Sequence, residues 1–333
     1  MKQPPTFLTR LRLLGTGRAL PERVLSNQDL EAMVDTNDAW IVERTGIRNR
    51  RIAAPDEATS HLASRALQRA CEDAGVAPDS LDGVILGTST TDTLFPATAC
   101  WVQEKLGIRG MFAFDVSAGC SGFLYALELA SALLASGRAA RIGVIGAEVM
   151  SKVVNWEDRT TCVLFGDGAG AAVVATTDED RGVLGSVWGA DGSLASCLYQ
   201  PAGGTQMPAS HETVAEKLHT VHMQGSRVFR HAVECMSGAV QTIFEQAQIG
   251  PDDVDLLIPH QANTRIMEAT RSRIGIPIER LYSIVERYGN MSAASIPIAI
   301  DEAREHGRLK DGDLLLTTAF GTGFTWAAHA LRM

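Results

Sequence analysis

Apolar runs of strand length recur along the chain, and each delivers the backbone into a loop of polar or small residues. GVILGTST (83–90) and LLIPHQAN (256–263) have this form, and RIGVIGAE (141–148) and DLLLTTAF (313–320) repeat the apolar run. Continuous apolar runs predict strands buried on both faces, and the intervening segments have helical spacing. The pattern therefore predicts largely parallel sheets covered by helices. The most apolar helical segment, 123–136, contains Glu128 and is too short to cross a bilayer.

The pattern is written twice. Position 88, after the first run, and His260, after the second, are 172 residues apart, and Cys120 of DVSAGCSG aligns with Ser292 of ERYGNMSAASIP (286–297) at the same offset. Each of these loops leads into a helix, ending near Gly137 in one case and near Gly307 in the other, and then into a strand. A shared offset over two blocks predicts a duplicated fold, with residues 1–180 as the half carrying the cysteine and 181–333 as the half carrying His260 and Asn290.

Composition narrows the classes. A chain of 333 residues with 45% hydrophobic content can bury a large core, and its 31 Gly and 12 Pro are scattered without a low-complexity tract. One compact body is expected. The net charge of −9 argues against generic binding to nucleic acid or to an anionic membrane. Residues 1–17 lack a continuous apolar run and carry Arg10 and Arg12, so a cytoplasmic enzyme is expected. Six cysteines without close-spaced pairs give neither a disulfide framework nor a zinc pattern, and His219 and His222 have no completing ligand motif. Basic residues gather locally, Arg227 with Arg230 and Arg265 with Arg271 and Arg273; such clusters are solvated helix faces or a contact for an acidic partner.

Candidate chemistry centres on Cys120, which Gly119 and Gly122 bracket at the start of the apolar helix. Unpaired N–H groups and the positive end of the helix dipole lower a thiol pKa from about 8.5, and a thiolate attacks acyl groups. Cys71 and Cys235 fall within helical segments, and Cys100, Cys162 and Cys197 lack this framing; all five read as small buried hydrophobes. His260 follows a strand directly and can donate to a substrate oxygen. Asn290 in YGNMSAAS is either a turn residue or a functional amide. The turn Gly321-Thr322-Gly323 can aim backbone N–H groups at an oxyanion. GDGAGA (166–171) lacks the spacing of a phosphate-binding loop and reads as small residues packed between strands. Ligands collect at the carboxyl ends of strands in such folds, so these groups are expected in one pocket.

WIVERTGIRNRRIA (40–53), DVSAGCSGF (115–123), FGDGAGAAVV (165–174), PHQAN (259–263), YGNMSAASIP (288–297) and FGTGFTW (320–326) together resemble the β-ketoacyl-acyl-carrier-protein synthase III family, the initiating condensing enzymes of bacterial fatty-acid synthesis. The likeness runs almost end to end. It implies a thiolase-like, duplicated α/β/α/β/α five-layer fold, a homodimer, and a Cys–His–Asn triad of Cys120, His260 and Asn290. Elongating relatives use two histidines, so Asn290 favours the initiating class. The resemblance further implies an oxyanion hole from the N–H groups of Cys120 and Thr322. Trp40 and Arg159 would hold the adenine of coenzyme A, with Arg44, Asn263, Phe229 and Phe320 along the substrate tunnel. Phe95 would reach across the dimer to limit the partner's acyl pocket, and Arg265, Arg230, Arg271 and Arg273 would dock the acidic carrier protein.

The implied reaction joins a short acyl-CoA, acetyl-CoA in the simplest case, to malonyl-acyl-carrier protein through an acyl-Cys120 intermediate, with no cofactor or metal. Departures from the family pattern at Gly119, Ser121, Met291 and Thr322 bear on acyl preference. The residues leave open a condensing enzyme of polyketide or alkylquinolone synthesis, an acyl-CoA thioesterase, and a non-catalytic acyl-binding protein.

Overall fold

The computed structural model describes residues 10–333, so the first nine positions of the N-terminal leader reading lie outside the described residues. Strands β1 (Leu11–Ala19), β2 (Gly83–Gly87), β3 (Phe112–Val116), β4 (Arg141–Val149) and β5 (Asp167–Thr176) form one sheet in the order β1-β5-β4-β2-β3. Strands β6 (Gly182–Ala190), β7 (Leu256–Pro259), β8 (Leu314–Gly321) and β9 (Thr325–Arg332) form a second, ordered β6-β9-β8-β7. The two orders are the same topology written twice. The second sheet lacks only an equivalent of β3, whose place is taken by a single parallel bridge between Leu257 and Leu281.

Both sheets are mixed rather than largely parallel. β2 pairs in parallel with β3 and β4, whereas β5 is antiparallel to β4 and β1. In the second sheet β7 and β8 are parallel, and β9 is antiparallel to β8 and β6. For β8 and β9 the cause is local, since the three residues between them can make a hairpin but not a crossover.

Among the described residues, seven α-helices have eight or more residues: α1 (Asp38–Thr45), α2 (Thr59–Ala74), α3 (Thr98–Leu106), α4 (Gly122–Ala135), α5 (Gly225–Ala247), α6 (Thr264–Arg273) and α7 (Ser295–Glu305). Strand alternation sorts side chains between layers. Ile85 and Leu315 point into a central core shared with Leu124 and Leu127 of α4 and Ile296 and Ile300 of α7. Val84 and Leu86 face Leu62, Ala66 and Leu67 of α2 on one outer surface, and Leu314 and Leu316 face Val240 and Ile243 of α5 on the other. Each fully buried Leu or Ile contributes about 1.5–3 kcal/mol, so the sandwiched α4 is anchored along its whole length. GDGAGA opens β5 and packs against α7, where a Cβ on Gly170 would lie 2.5 Å from the Ile298 nitrogen.

Candidate active site

Cys120 sits one step earlier than the sequence suggests, in a 3-10 turn (Gly119–Ser121) that precedes α4. The turn is pressed against the loop after β8. A Cβ on Gly119, whose φ is +53°, would lie 2.4 Å from the Thr322 nitrogen, and a Cβ on Gly321 would lie 2.7 Å from the Cys120 nitrogen. Only glycine permits this approach, which sets the Cys120 and Thr322 backbones close together in the lining of one cavity.

The thiol is 8% exposed. Burial pushes its pKa up to about 12, against the pull of a hydrogen bond with the Ser292 hydroxyl, and the Glu148 carboxylate nearby adds to the rise. This corrects the expectation of a helix-lowered thiol. Desolvation of the charged form outweighs the N-terminal field in so dry a position.

His260 leaves the end of β7 with its N–H bonded to the Thr318 carbonyl (2.8 Å). Its ring is fully buried, meets the Phe320 ring edge-on with centroids 5.7 Å apart, and has no hydrogen-bond partner on either nitrogen among the described residues. Burial lowers its pKa to about 3. The imidazole is therefore neutral near pH 7 and offers one donor and one acceptor. Asn290 is locked by its backbone, accepting from Gly166 (3.0 Å) and donating to Leu164 (2.8 Å), and its Oδ1 accepts from the Ser292 N–H (2.8 Å). That bond fixes the amide and leaves its NH₂ as the group to offer.

Cys120, His260 and Asn290 line one cavity of about 600 Å³, together with Trp40, Arg44, Phe229, Asn263, Arg265 and Phe320. Asn263 also caps α6, accepting from the Ile266 N–H at 2.9 Å. Thr322 lines a second cavity of about 310 Å³ on the other side of Cys120, with Met150, Val153, Leu198, Val221 and Ser292. At the mouth of the larger cavity, the Arg44 and Arg159 guanidiniums each lie 5.2 Å from the Trp40 ring centroid, and Arg159 donates to the Asp35 carbonyl (2.8 Å). A base stacked on both sides needs about 7 Å between its neighbours, so Arg159 must swing outward to admit one.

The remaining predicted residues divide. Arg265 is exposed and lies over the Phe229 ring at 5.5 Å; Arg230 and Arg273 are exposed as well. Arg271 is not free, because it bonds Glu268 (2.9 Å) and the Ile276 carbonyl (2.6 Å) and closes the end of its own helix. Phe95 is 81% exposed and lines neither cavity of the single chain. His219 bonds Thr213 (2.9 Å), and among the described residues no cluster of three His, Cys, Asp or Glu could hold a metal ion.

Sequence reasoning missed Glu148. It lies at the end of β4 with no exposure, and its carboxylate accepts from the hydroxyls of Thr88 (3.2 Å), Thr90 and Ser292 (3.0 Å) and from the N–H groups of Ser89 (3.1 Å) and Thr90 (3.0 Å). Ser292 adopts a left-handed backbone, φ +47°. The 172-residue offset held the available signal, since it pairs Ser292 with the nucleophile and Thr88 with His260.

Residues 114–192 match the family described as 3-oxoacyl-(acyl-carrier-protein) synthase III, and residues 244–333 match its C-terminal region. A β-ketoacyl-acyl-carrier-protein synthase III of Caldanaerobacter subterraneus subsp. tengcongensis is 53% identical over 320 residues, 96% of this chain and 97% of that protein. The crystal structure of the synthase III of Aquifex aeolicus superposes with a TM-score of 0.90 at 44% identity, covering 97% of this chain and 100% of that one. A priming β-ketosynthase from a polyketide biosynthetic pathway superposes with a TM-score of 0.89 at 34% identity, covering 99% and 98%. With its thiolase-like fold and two-sided cysteine pocket, the chain belongs to the β-ketoacyl-acyl-carrier-protein synthase III family.

Proposed function

We propose that this chain catalyses the decarboxylative Claisen condensation of a short acyl-CoA, acetyl-CoA first, with malonyl-acyl-carrier protein, initiating fatty-acid synthesis. The observation that carries the reading is the convergence of Cys120, a neutral His260 and a locked Asn290 on one cavity. Cys120 attacks the thioester carbonyl, and the N–H groups of Cys120 and Thr322 receive the oxyanion. Loss of one such donor costs about 10²–10³ in rate. Coenzyme A leaves an acyl-enzyme. The malonyl thioester then binds with its carbonyl oxygen between the His260 N–H and the Asn290 NH₂. Both groups are neutral donors, suited to an enolate formed by loss of CO₂ rather than by proton abstraction. The carbanion attacks the acyl-Cys120 carbonyl and releases 3-oxoacyl-acyl-carrier protein. The chemistry uses no metal or redox cofactor; acyl-CoA is substrate and coenzyme A is product.

In this reading Trp40, Arg44 and a displaced Arg159 hold the nucleotide end of coenzyme A. The exposed Arg265, Arg230 and Arg273 meet the acidic carrier protein, and the smaller cavity beside Thr322 takes the acyl group. A second copy of the chain completes the site. The edge strand β3 is only half-buried along its length, and Leu94 and Phe95, 79% and 81% exposed, project from the loop before α3, as apolar groups awaiting a partner do. Phe95 of each protomer would close the other's acyl cavity. All six cysteines are free, the state a reducing cytoplasm maintains.

Intact-protein mass spectrometry with acetyl-, butyryl-, isobutyryl- and octanoyl-CoA, followed by a malonyl-acyl-carrier-protein chase, tests the reading. An acetyl adduct on Cys120 discharged as 3-oxoacyl-carrier protein is expected. The likeness to a polyketide priming synthase supports a second reading, in which only longer or unusual starters load. Discharge to free acid at the rate of turnover would make the chain a thioesterase instead.

A further inference from the structure

The mechanism above leaves the best-sequestered charge near the nucleophile without a task. Glu148 has no exposed surface, yet it lies one hydroxyl away from Cys120. Its neighbours all donate to it. The Thr90 hydroxyl accepts from the Val149 N–H (2.9 Å), and the Thr88 hydroxyl accepts from the Thr90 N–H (3.1 Å), so both protons are turned toward the carboxylate. Ser292 likewise donates to Oε1 (3.0 Å), which leaves its lone pairs free for the Cys120 thiol, whose neighbour it is in the lining of the smaller cavity. Among the described residues, no other ionisable side chain hydrogen-bonds Glu148 or Ser292. Asp167, on the strand paired with β4, bonds Ala53 and Ser151, and Asp115 on β3 bonds the N–H groups of Thr98 and Ala99. His260 shares the larger cavity with Cys120, but its nitrogens are unpartnered among the described residues.

We propose that Ser292 and Glu148 form a proton relay for Cys120, so that the thiol proton ends on Glu148 and one negative charge is shared between Sγ and the carboxylate. The S–H bond breaks as an O–H bond forms on Ser292 Oγ, and the original Ser292 proton passes to Glu148 Oε1. Each electron pair stays with the atom that loses its proton, and no co-reactant is needed. Ser292 touches the reacting sulfur; Glu148 is a positioning residue that acts through it.

The physical advantage is charge conservation in a dry pocket. A thiolate made by releasing a proton to solvent would place a second buried anion beside Glu148, and burial with that repulsion is what holds the thiol high. Moving the proton to Glu148 relocates the existing charge instead, and burial favours the protonated carboxyl. The proton stays on Glu148 while the acyl group occupies sulfur. It returns to Sγ when condensation expels the thiolate. During decarboxylation the site then presents a neutral acid, not an anion, to the developing enolate. The left-handed φ of Ser292, a conformation costing on the order of 1–2 kcal/mol for a residue with a Cβ, is held where the relay needs its hydroxyl.

The test is the rate of Cys120 alkylation by iodoacetamide between pH 6 and 9, read by peptide mass spectrometry on the full chain. Transfer between two internal groups leaves net protonation unchanged, so once Glu148 is ionised the wild-type rate is expected to level off to a plateau within the range. Glu148→Gln and Ser292→Ala should each convert that plateau into a rise of about tenfold per pH unit, the slope of a single thiol ionisation. His260→Ala, which loses condensation, should keep it. Ser292→Ala carries the test should Glu148→Gln not fold. A wild-type rate that climbs throughout, a plateau that survives either relay substitution, or one that His260→Ala abolishes overturns the proposal. The proposal rests on Cys120 as the acyl acceptor, but alkylation requires neither acyl-CoA nor carrier protein, so failure of the relay and failure of the condensation reading are seen separately.

Discussion

Gly119→Ala tests the proposed oxyanion cleft where Gly119 meets Thr322. The new methyl would stand 2.4 Å from the Thr322 nitrogen and 2.7 Å from the Thr322 Oγ1, at a φ of +53°. A Cβ in left-handed backbone costs about 1–2 kcal/mol, and the Thr322 peptide must retreat by roughly an ångström to reach ordinary contact. The strain lowers stability modestly. The retreat removes one of the two N–H donors, which is worth about 10²–10³ in rate. The expected signature is therefore a folded protein, melting slightly lower than wild type, whose acetyl-Cys120 forms about two to three orders of magnitude more slowly at saturating acetyl-CoA. Quenched-flow intact mass spectrometry gives the rate and calorimetry gives the stability. Wild-type acylation in a variant that melts lower would refute the argument, because it would mean that Thr322 can move without consequence for the oxyanion.

Four further outcomes follow from the same geometry. Asn290→Ala should leave acetylation of Cys120 near wild type and slow malonyl decarboxylation by about 10²-fold, the loss of one oxyanion-type donor; equal damage to both half-reactions would remove the division of labour. His260 is held neutral with a pKa near 3 in the folded chain, against 6.5 as its ordinary value. The unfolded state thus binds the extra proton first, so this contribution is fully present above about pH 6.5 and is lost as pH falls toward 3, with about 2 kcal/mol already lost at pH 5. Denaturant midpoints at pH 5 and 8 should differ more for wild type than for His260→Ala, and equal differences would contradict the shift. Arg265→Glu should raise KM for malonyl-acyl-carrier protein in a salt-dependent way while sparing the acyl-CoA step. Arg271→Ala should instead lower the melting temperature with little change in KM, and the reverse pattern would relocate the docking surface.

The strand and helix plan was legible because burial on both faces writes itself as continuous apolar runs, and because a duplication repeats them at a constant offset. The handedness of pairing was not. An apolar run looks alike in parallel and antiparallel company, and the three-residue link before Thr325 distinguishes them only for β8 and β9. Cys120, His260 and Asn290 were legible through their small-residue loops. The thiol's environment was misjudged, since a helix N-terminus can be read from sequence but the depth of burial above it cannot. Glu148 in RIGVIGAE looked like the polar end of a strand, and its five donors come from residues 88–90 and 292, far apart in the chain. Arg271 was read with its exposed neighbours, although its hydrogen bonds to Glu268 and the Ile276 carbonyl depend on the path of the chain after α6.

The duplication also explains why the site has two unlike sides. At the 172-residue offset Cys120 is matched by Ser292, Thr88 by His260, and Glu148 by Phe320. The first member of each pair lies in the half of β1–β5, and the second in the half of β6–β9. Equivalent strand ends therefore place equivalent pairs in contact: Thr88 hydrogen-bonds Glu148 at 3.2 Å in one half, and His260 packs its ring edge on Phe320 at 5.7 Å in the other. The polar pair surrounds a carboxylate with donors. The aromatic pair keeps an imidazole dry, and dryness is what lowers its pKa and keeps it a neutral donor. Between them the two turns that begin α4 and α7 set the Cys120 thiol against the Ser292 hydroxyl. Divergence at three paired positions gives one side where a proton can move and one where it cannot, and the reaction assigned here needs both.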